Sequence, residues 1–301
     1  MWIGVIGAAA IISSLLATAG TLQEETVSTR VETDSLPGRV VDVKAGEFYF
    51  KAPDTIPAGL TTFRLEQVGM VVDRIRAGVL GRAAAADKGD ATRGAHMLWI
   101  VKLEQGKTAA DYLSAEHGRK PTPWATHIGG PAFIFPPATT NATVDLEPGN
   151  YALVCHIGSA REDRSRSHLL NGMIRPLTVV AARGRRAIAP RPDVVARITG
   201  AGVVEFSSAL VAGRQVIRVE NVSTVRREFK FKRVPDGMTG KEALAGKPDG
   251  ADGPPVGGLS SVPPGRTVTT TIDFEPGEYI VGTWPPILHE TSRAFTVARR
   301  Q

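Results

Sequence analysis

LEPGNYALVCHIGSAREDRSRSHLLNGMIRPLTVV, residues 146–180, holds the only cysteine of the chain. After the Pro148-Gly149 turn, Tyr151, Leu153 and Cys155 alternate with Ala152, Val154 and His156, the pattern of a strand with one face toward a core. Cys155 therefore points inward and His156 to the opposite face. A polar loop follows, then His168, then Asn171-Gly172-Met173, and a second strand is expected from Ile174 to Val180. One thiolate, one imidazole and one thioether are thus returned to the same end of the same sandwich.

A soft thiolate, two imidazoles and a weak axial thioether form the ligand set that suits copper in an electron-transfer site. The second imidazole is assigned to His96, at the head of the apolar, strand-like run His96-Met97-Leu98-Trp99-Ile100-Val101-Lys102-Leu103. In this order of ligands, an early His and then Cys, His and Met close together, the chain resembles the blue copper proteins, the cupredoxins of the plastocyanin and azurin type. The resemblance spans about Val40 to Val180. It implies His96, Cys155, His168 and Met173 as ligands of one type 1 copper. Two features depart from the small electron carriers. The loop between Cys155 and His168, with its Arg161-Glu162-Asp163-Arg164-Ser165-Arg166 insert, is much longer. Met97 also stands where those proteins commonly place an Asn.

Outside this stretch, β-branched runs broken by Pro-Gly and Gly at regular intervals give an all-β expectation. At 301 residues the chain can form two ordinary domains. Residues 1–19 are apolar and uncharged and end in Ala17-Thr18-Ala19, a small-x-small site, so they read as an export signal or an N-terminal anchor. The expected localisation is the periplasm or another exported space, with membrane contact only through an uncleaved leader. An exported chain with one unpaired Cys needs a reason for it, and a metal thiolate supplies one. Residues 20–37 read as a flexible leader.

The second half repeats the first. Ala58-Gly59-Leu60-Thr61 through Glu66 matches Ala212-Gly213-Arg214-Gln215 through Glu220. Gly106-Lys107-Thr108 matches Gly237-Met238-Thr239, and Asp145-Leu146-Glu147-Pro148-Gly149-Asn150-Tyr151 matches Asp273-Phe274-Glu275-Pro276-Gly277-Glu278-Tyr279. The offsets of 154, 131 and 128 residues place an insertion of the first copy within Met70 to Arg93. Two tandem Greek-key β-sandwiches are expected: residues 38–180 with the copper site, a basic linker at 181–192, and residues 193–301 without copper. In that second copy His96 maps to Arg227, Cys155 to Thr283 and Met173 to Thr291, so the ligands are lost.

Thr108 to His117 is expected to be helical, with Thr108 as cap and Asp111 closing a capping box. Leu98 and Ile100 face inward, while Trp99 and Val101 make the other face apolar too, so something should cover it. His117 and His127 are given no role. The cluster Arg226, Arg227, Lys230, Lys232 and Arg233 reads as a solvated strand face.

The net charge is +6, and all of the excess lies after residue 180. No nucleic-acid module is recognisable, so the charge serves solubility, membrane-surface attraction or docking of an acidic redox partner. Oxidases and nitrite reductases of this architecture add copper on His-x-His pairs or on a His just before the Cys. This chain has six histidines, no His-x-His, and Val154 before Cys155. The expected function is an exported carrier of single electrons between redox proteins. The alternative is a metal-free or copper-storing interaction protein on the same scaffold, with a two-domain copper oxidoreductase behind both.

Overall fold

Val41, Val43 and Ala45 are buried while Val40, Asp42 and Lys44 face solvent, so the first strand, β1 (Arg39–Gly46), keeps the strict alternation of a sheet with one wet face. The computed structural model describes residues 36–68, 95–136, 138–157, 167–185, 187–245, 253–284 and 291–300. The leader, the Met70–Arg93 insertion, the Arg161–Arg166 insert and His289 lie outside them. Residues 36–301 form one compact unit.

In the first half β1 is followed by β2 (Tyr49–Lys51), β3 (Thr55–Pro57), β4 (Gly59–Gln67), β5 (Trp99–Leu103), helix α1 (Ala109–His117), β6 (Ala125–Gly129), β7 (Thr139–Leu146), β8 (Gly149–Val154) and β9 (Ile174–Val180). The second half carries β10 (Val194–Ile198), β11 (Val204–Phe206), β12 (Gly213–Asn221), β13 (Arg227–Arg233), helix α2 (Gly240–Ala245), β14 (Pro255–Val262), β15 (Thr267–Phe274), β16 (Gly277–Trp284) and β17 (Arg293–Val297). Between β9 and β10 the described residues form no strand and are mostly exposed. The architecture is an all-β sandwich. One face of the first half is the sheet β3-β9-β8-β5-β6, and its counterpart in the second half is β14-β13-β16-β17. The other layer is a single eight-stranded sheet, β11-β10-β12-β15-β7-β4-β1-β2, that runs through both halves.

The two halves join where β7 meets β15, with Thr143 opposite Thr269. Asn141 extends that contact. Its side-chain amide donates to the Thr271 carbonyl at 2.7 Å, and its Oδ1 accepts the Thr271 N–H at 2.9 Å. A second seam runs along β14. There the Ser260 N–H donates to the Gly130 carbonyl at 2.7 Å and the Ala132 N–H to the Gly258 carbonyl at 3.1 Å. Gly130 is required at this seam, because a Cβ would fall 1.9 Å from the Leu98 carbonyl oxygen.

Local devices recur in both halves. Thr108 and Asp111 form the full capping box of α1, and Thr239 and Glu242 repeat it at α2, with N–H to side-chain distances of 2.7 and 3.2 Å. Tyr151 donates its hydroxyl to the Glu147 carbonyl at 2.8 Å, and Tyr279 does the same to Glu275 at 3.0 Å. Each pair pins the Glu-Pro-Gly turn against the strand that follows it.

Two expectations are corrected. The strand expected from His96 begins only at Trp99, and His96 itself makes a single antiparallel bridge to Ile134. The basic cluster is only partly a solvated face: Arg226 is exposed and Lys230, Lys232 and Arg233 are half-buried, but Arg227 is buried. Arg227 is 1% exposed, and Arg226 lies over the Trp99 ring at 4.5 Å. Lys230 pairs with Glu228 and sits over Phe133 at 4.2 Å. This packing is the cover over Trp99 that the two-faced apolar strand demanded.

Candidate metal centre

Cys155 is the first residue past β8, so the strand aims it and the end of the ladder frees its surroundings from further pairing. Its N–H donates to the Met173 carbonyl at 3.2 Å. The chain returns through a tight turn in which the His168 N–H donates to Ile157 at 2.9 Å and the Met173 N–H to His168 at 2.9 Å. Gly172 takes φ +93° in that turn, a conformation glycine adopts freely, and Ile174 then enters β9. The local run His168 to Met173 is thus folded back onto Cys155 by backbone bonds alone. His96 arrives from the neighbouring strand, three residues before β5. The Gln67 side-chain amide donates to its carbonyl at 2.7 Å.

These elements bring three ligand atoms together. His96 Nδ1 lies 3.1 Å from His168 Nδ1, and Cys155 Sγ lies 3.5 Å from His168 Nδ1 and 4.0 Å from His96 Nδ1. All three residues are 0% exposed. Among the described residues this is the cluster of His, Cys and carboxylates able to hold a metal ion. Met173 is also fully buried and is bound through its backbone to both Cys155 and His168.

The donors fit an ion. A metal bound by two imidazole nitrogens and a thiolate at about 2.0–2.3 Å in one plane holds its ligand atoms about 3.5–3.8 Å apart, and the observed separations bracket that range. Burial pushes the Cys155 thiol up to about 12. Burial, and after it the charge of His168, brings His96 down to about 3. Without a metal the Cys155 thiol is therefore protonated and the His96 ring uncharged at pH 7. The His96 Nε2 is buried without a hydrogen-bond partner, a donor position left over when Nδ1 is turned to the cluster.

Behind Cys155, on the other side of β5, lies a second group of rings. His156 stacks on Trp99 with centroids 4.0 Å apart and takes a 3.4 Å contact from the Tyr112 hydroxyl at Nε2. His127 meets Trp99 edge-on at 5.2 Å and shares a 2.8 Å hydrogen bond with Ser261. Burial brings both imidazoles down to about 3, with Arg226 adding to the effect. From the sequence His127 has no assigned role. It lies in β6 opposite Val101. Its partners Trp99, Ser261 and Arg226 are all distant in sequence, so no local signal marks it.

In the second half the positions mapped from the ligands also converge. Thr283 donates to the Gly202 carbonyl at 2.7 Å, and a Cβ on Gly202 would come within 3.1 Å of both Arg227 Cζ and Thr291 Cγ2. Among the described residues, that pole has a guanidinium and two hydroxyls where the first half has imidazoles and a thiol.

No family model matches the sequence, and no curated protein sequence matches it. Solved structures do. The chain is similar to auracyanin of the photosynthetic bacterium Roseiflexus castenholzii, at 16% identity over 48% of this chain and 98% of that one, with a TM-score of 0.26. It is similar to auracyanin B at 18% identity over 49% and 92%, TM-score 0.28. It is similar to a multicopper oxidase at 11% identity over 87% and 89%, TM-score 0.25.

Proposed function

We propose that the chain is a cupredoxin-like protein of two tandem domains that binds one type 1 copper in the first and carries single electrons between redox proteins. His96, Cys155 and His168 would hold the ion, with Met173 as a further, weak donor. The observation that supports this is the convergence of one thiol and two imidazole Nδ1 atoms, completely buried, at spacings an ion would fill. Copper, when bound there, supplies a one-electron couple between Cu(I) and Cu(II).

The protein's own part is to hold the ligands and exclude water. Cys155 and His168 are fixed through the Met173 backbone, and His96 through Gln67 and the bridge to Ile134. A site held this way undergoes little rearrangement when its charge changes, which favours outer-sphere transfer. The remaining described imidazoles do not supply a second site of the kind an oxidase needs. His127 and His156 are packed on Trp99, and His117 ends α1. The second domain keeps the scaffold without the ligands. Its surplus of basic residues suits an acidic partner. Export, with the mature chain beginning near Gly20, belongs to the same reading.

The test is the visible spectrum of the copper-loaded, oxidised protein. An intense thiolate-to-Cu(II) band that is absent from Cys155→Ser is expected. A colourless wild-type protein after loading and oxidation would overturn the proposal.

A further inference from the structure

Glu47 and Phe48 form the turn between β1 and β2, and Phe48 has φ +59°. That is the left-handed region, which glycine and asparagine enter easily and a bulky aromatic residue does not. The corresponding turn of the second half, between β10 and β11, contains Gly202 at φ +86°. Glycine is the ordinary solution there, and the first half uses phenylalanine at a conformational cost. Strain of this kind persists where the surroundings hold it in place, and it gathers at functional sites.

The Phe48 side chain shows what the strain obtains. Its ring meets the His168 imidazole edge-on, with centroids 5.2 Å apart and an interplanar angle of 84°. Phe48 is itself partly exposed and its neighbour Tyr49 is 50% exposed, whereas His96, Cys155 and His168 are all at 0%. Phe48 thus packs directly on a fully buried ligand ring while keeping part of its own surface in solvent. Its contact with His168 stands beside that of the two imidazoles with each other, whose centroids are 5.0 Å apart.

We propose that Phe48 is a fixed aromatic stopper. It orients the His168 ring and bars water, small anions and thiol reagents from the space between the three ligand atoms. Its metal-related consequence rests on the copper reading above: a centre closed in this way exchanges electrons through the protein and not by binding a substrate. Its steric consequence does not depend on any metal.

Phe48→Gly is the deciding variant, because glycine relieves the strain at this φ while removing the ring. In the metal-free full-length protein, Cys155 is the sole thiol, so its modification by N-ethylmaleimide reports access to the cluster without ambiguity. Phe48→Gly should react about tenfold faster or more, with the cooperative thermal transition retained, while Phe48→Tyr, which keeps the ring, should react at the wild-type rate. Phe48→Asn also accepts this φ and provides the same comparison in a second background. In the copper-loaded protein, azide should perturb the visible and paramagnetic resonance spectra of Phe48→Gly and leave the wild type unchanged. Wild-type maleimide rates in folded Phe48→Gly and Phe48→Asn would overturn the stopper. A colourless wild-type protein would instead overturn the copper reading, and the maleimide rates would still decide the role of Phe48.

Discussion

The amide of Cys155 donates to the carbonyl of Met173 at 3.2 Å, so the residue bearing the thiol and the residue bearing the thioether are locked together through their backbones. The lock does not depend on either side chain. Replacing Met173 by leucine, similar in volume and equally apolar, should therefore leave the turn, the fold and the thiolate-to-copper colour in place. It would remove only the thioether donor, whose loss would weaken the binding of Cu(II) more than that of Cu(I). The reduction potential of Met173→Leu should rise, as measured by equilibrium titration against the wild type. An unchanged potential would remove the thioether from the ligand set.

The thiol of Cys155, held up at about 12 by burial, is protonated at neutral pH and must lose its proton to bind a metal. Each copper taken up between pH 6 and 8 should thus release the proton of the Cys155 thiol, His96 being uncharged already. Titration of weakly buffered protein in a pH-stat reads this directly, and Cys155→Ser should release far less.

Acid should destabilise the metal-free protein well before its carboxylates titrate. Burial holds His96, His127 and His156 at about 3 against an ordinary value of 6.5. Between those values the unfolded chain binds more protons than the folded one, so stability is complete above 6.5 and is lost as the pH falls toward 3. At pH 5 the linkage amounts to up to about 2 kcal/mol for each histidine. Urea denaturation at pH 7 and pH 5 measures it. His127→Gln should lose less stability across that interval than the wild type.

Asn141 acts as a rung between the halves, bonded to both the N–H and the carbonyl of Thr271. Asn141→Ala leaves those two groups without partners and should cost about 1–3 kcal/mol. Because the eight-stranded sheet is shared, the loss should appear in one cooperative transition detected alike by probes in either half. Two separated transitions would show that the halves unfold independently.

Much of this was legible in the sequence because it is local. The Pro148-Gly149 turn, the strand leading into Cys155 and the Asn171-Gly172-Met173 return are fixed by neighbours in the chain, and the structure reproduces them together with the Thr108 capping box, although that strand is buried on both faces, Ala152 and Val154 included, and not on one as its alternation suggests. Cys155 and His168 converge with His96, although the strand meant to carry His96 starts three residues later than its apolar run suggests. What the sequence concealed depends on distant packing. The charges of residues 226–233 are interleaved with Phe229 and Phe231 in a pattern that also suits a wet face, and nothing local shows that Arg226 lies over Trp99, Lys230 over Phe133, or that Arg227 is buried. His127 is marked only by partners from other strands. The left-handed turn at Phe48 has no signature at all, since a bulky aromatic residue does not mark a positive φ.

The most direct test of the account is the copper content and spectrum of a single preparation loaded with copper, oxidised and freed of excess metal. Metal analysis, visible absorption and electron paramagnetic resonance should agree on one copper per chain. Its thiolate band should be intense and its parallel hyperfine splitting narrow, no second cupric signal should appear, and nitrite or oxygen should not be turned over. A second copper with catalytic reduction of either, or a chain that binds no copper at Cys155, would contradict it.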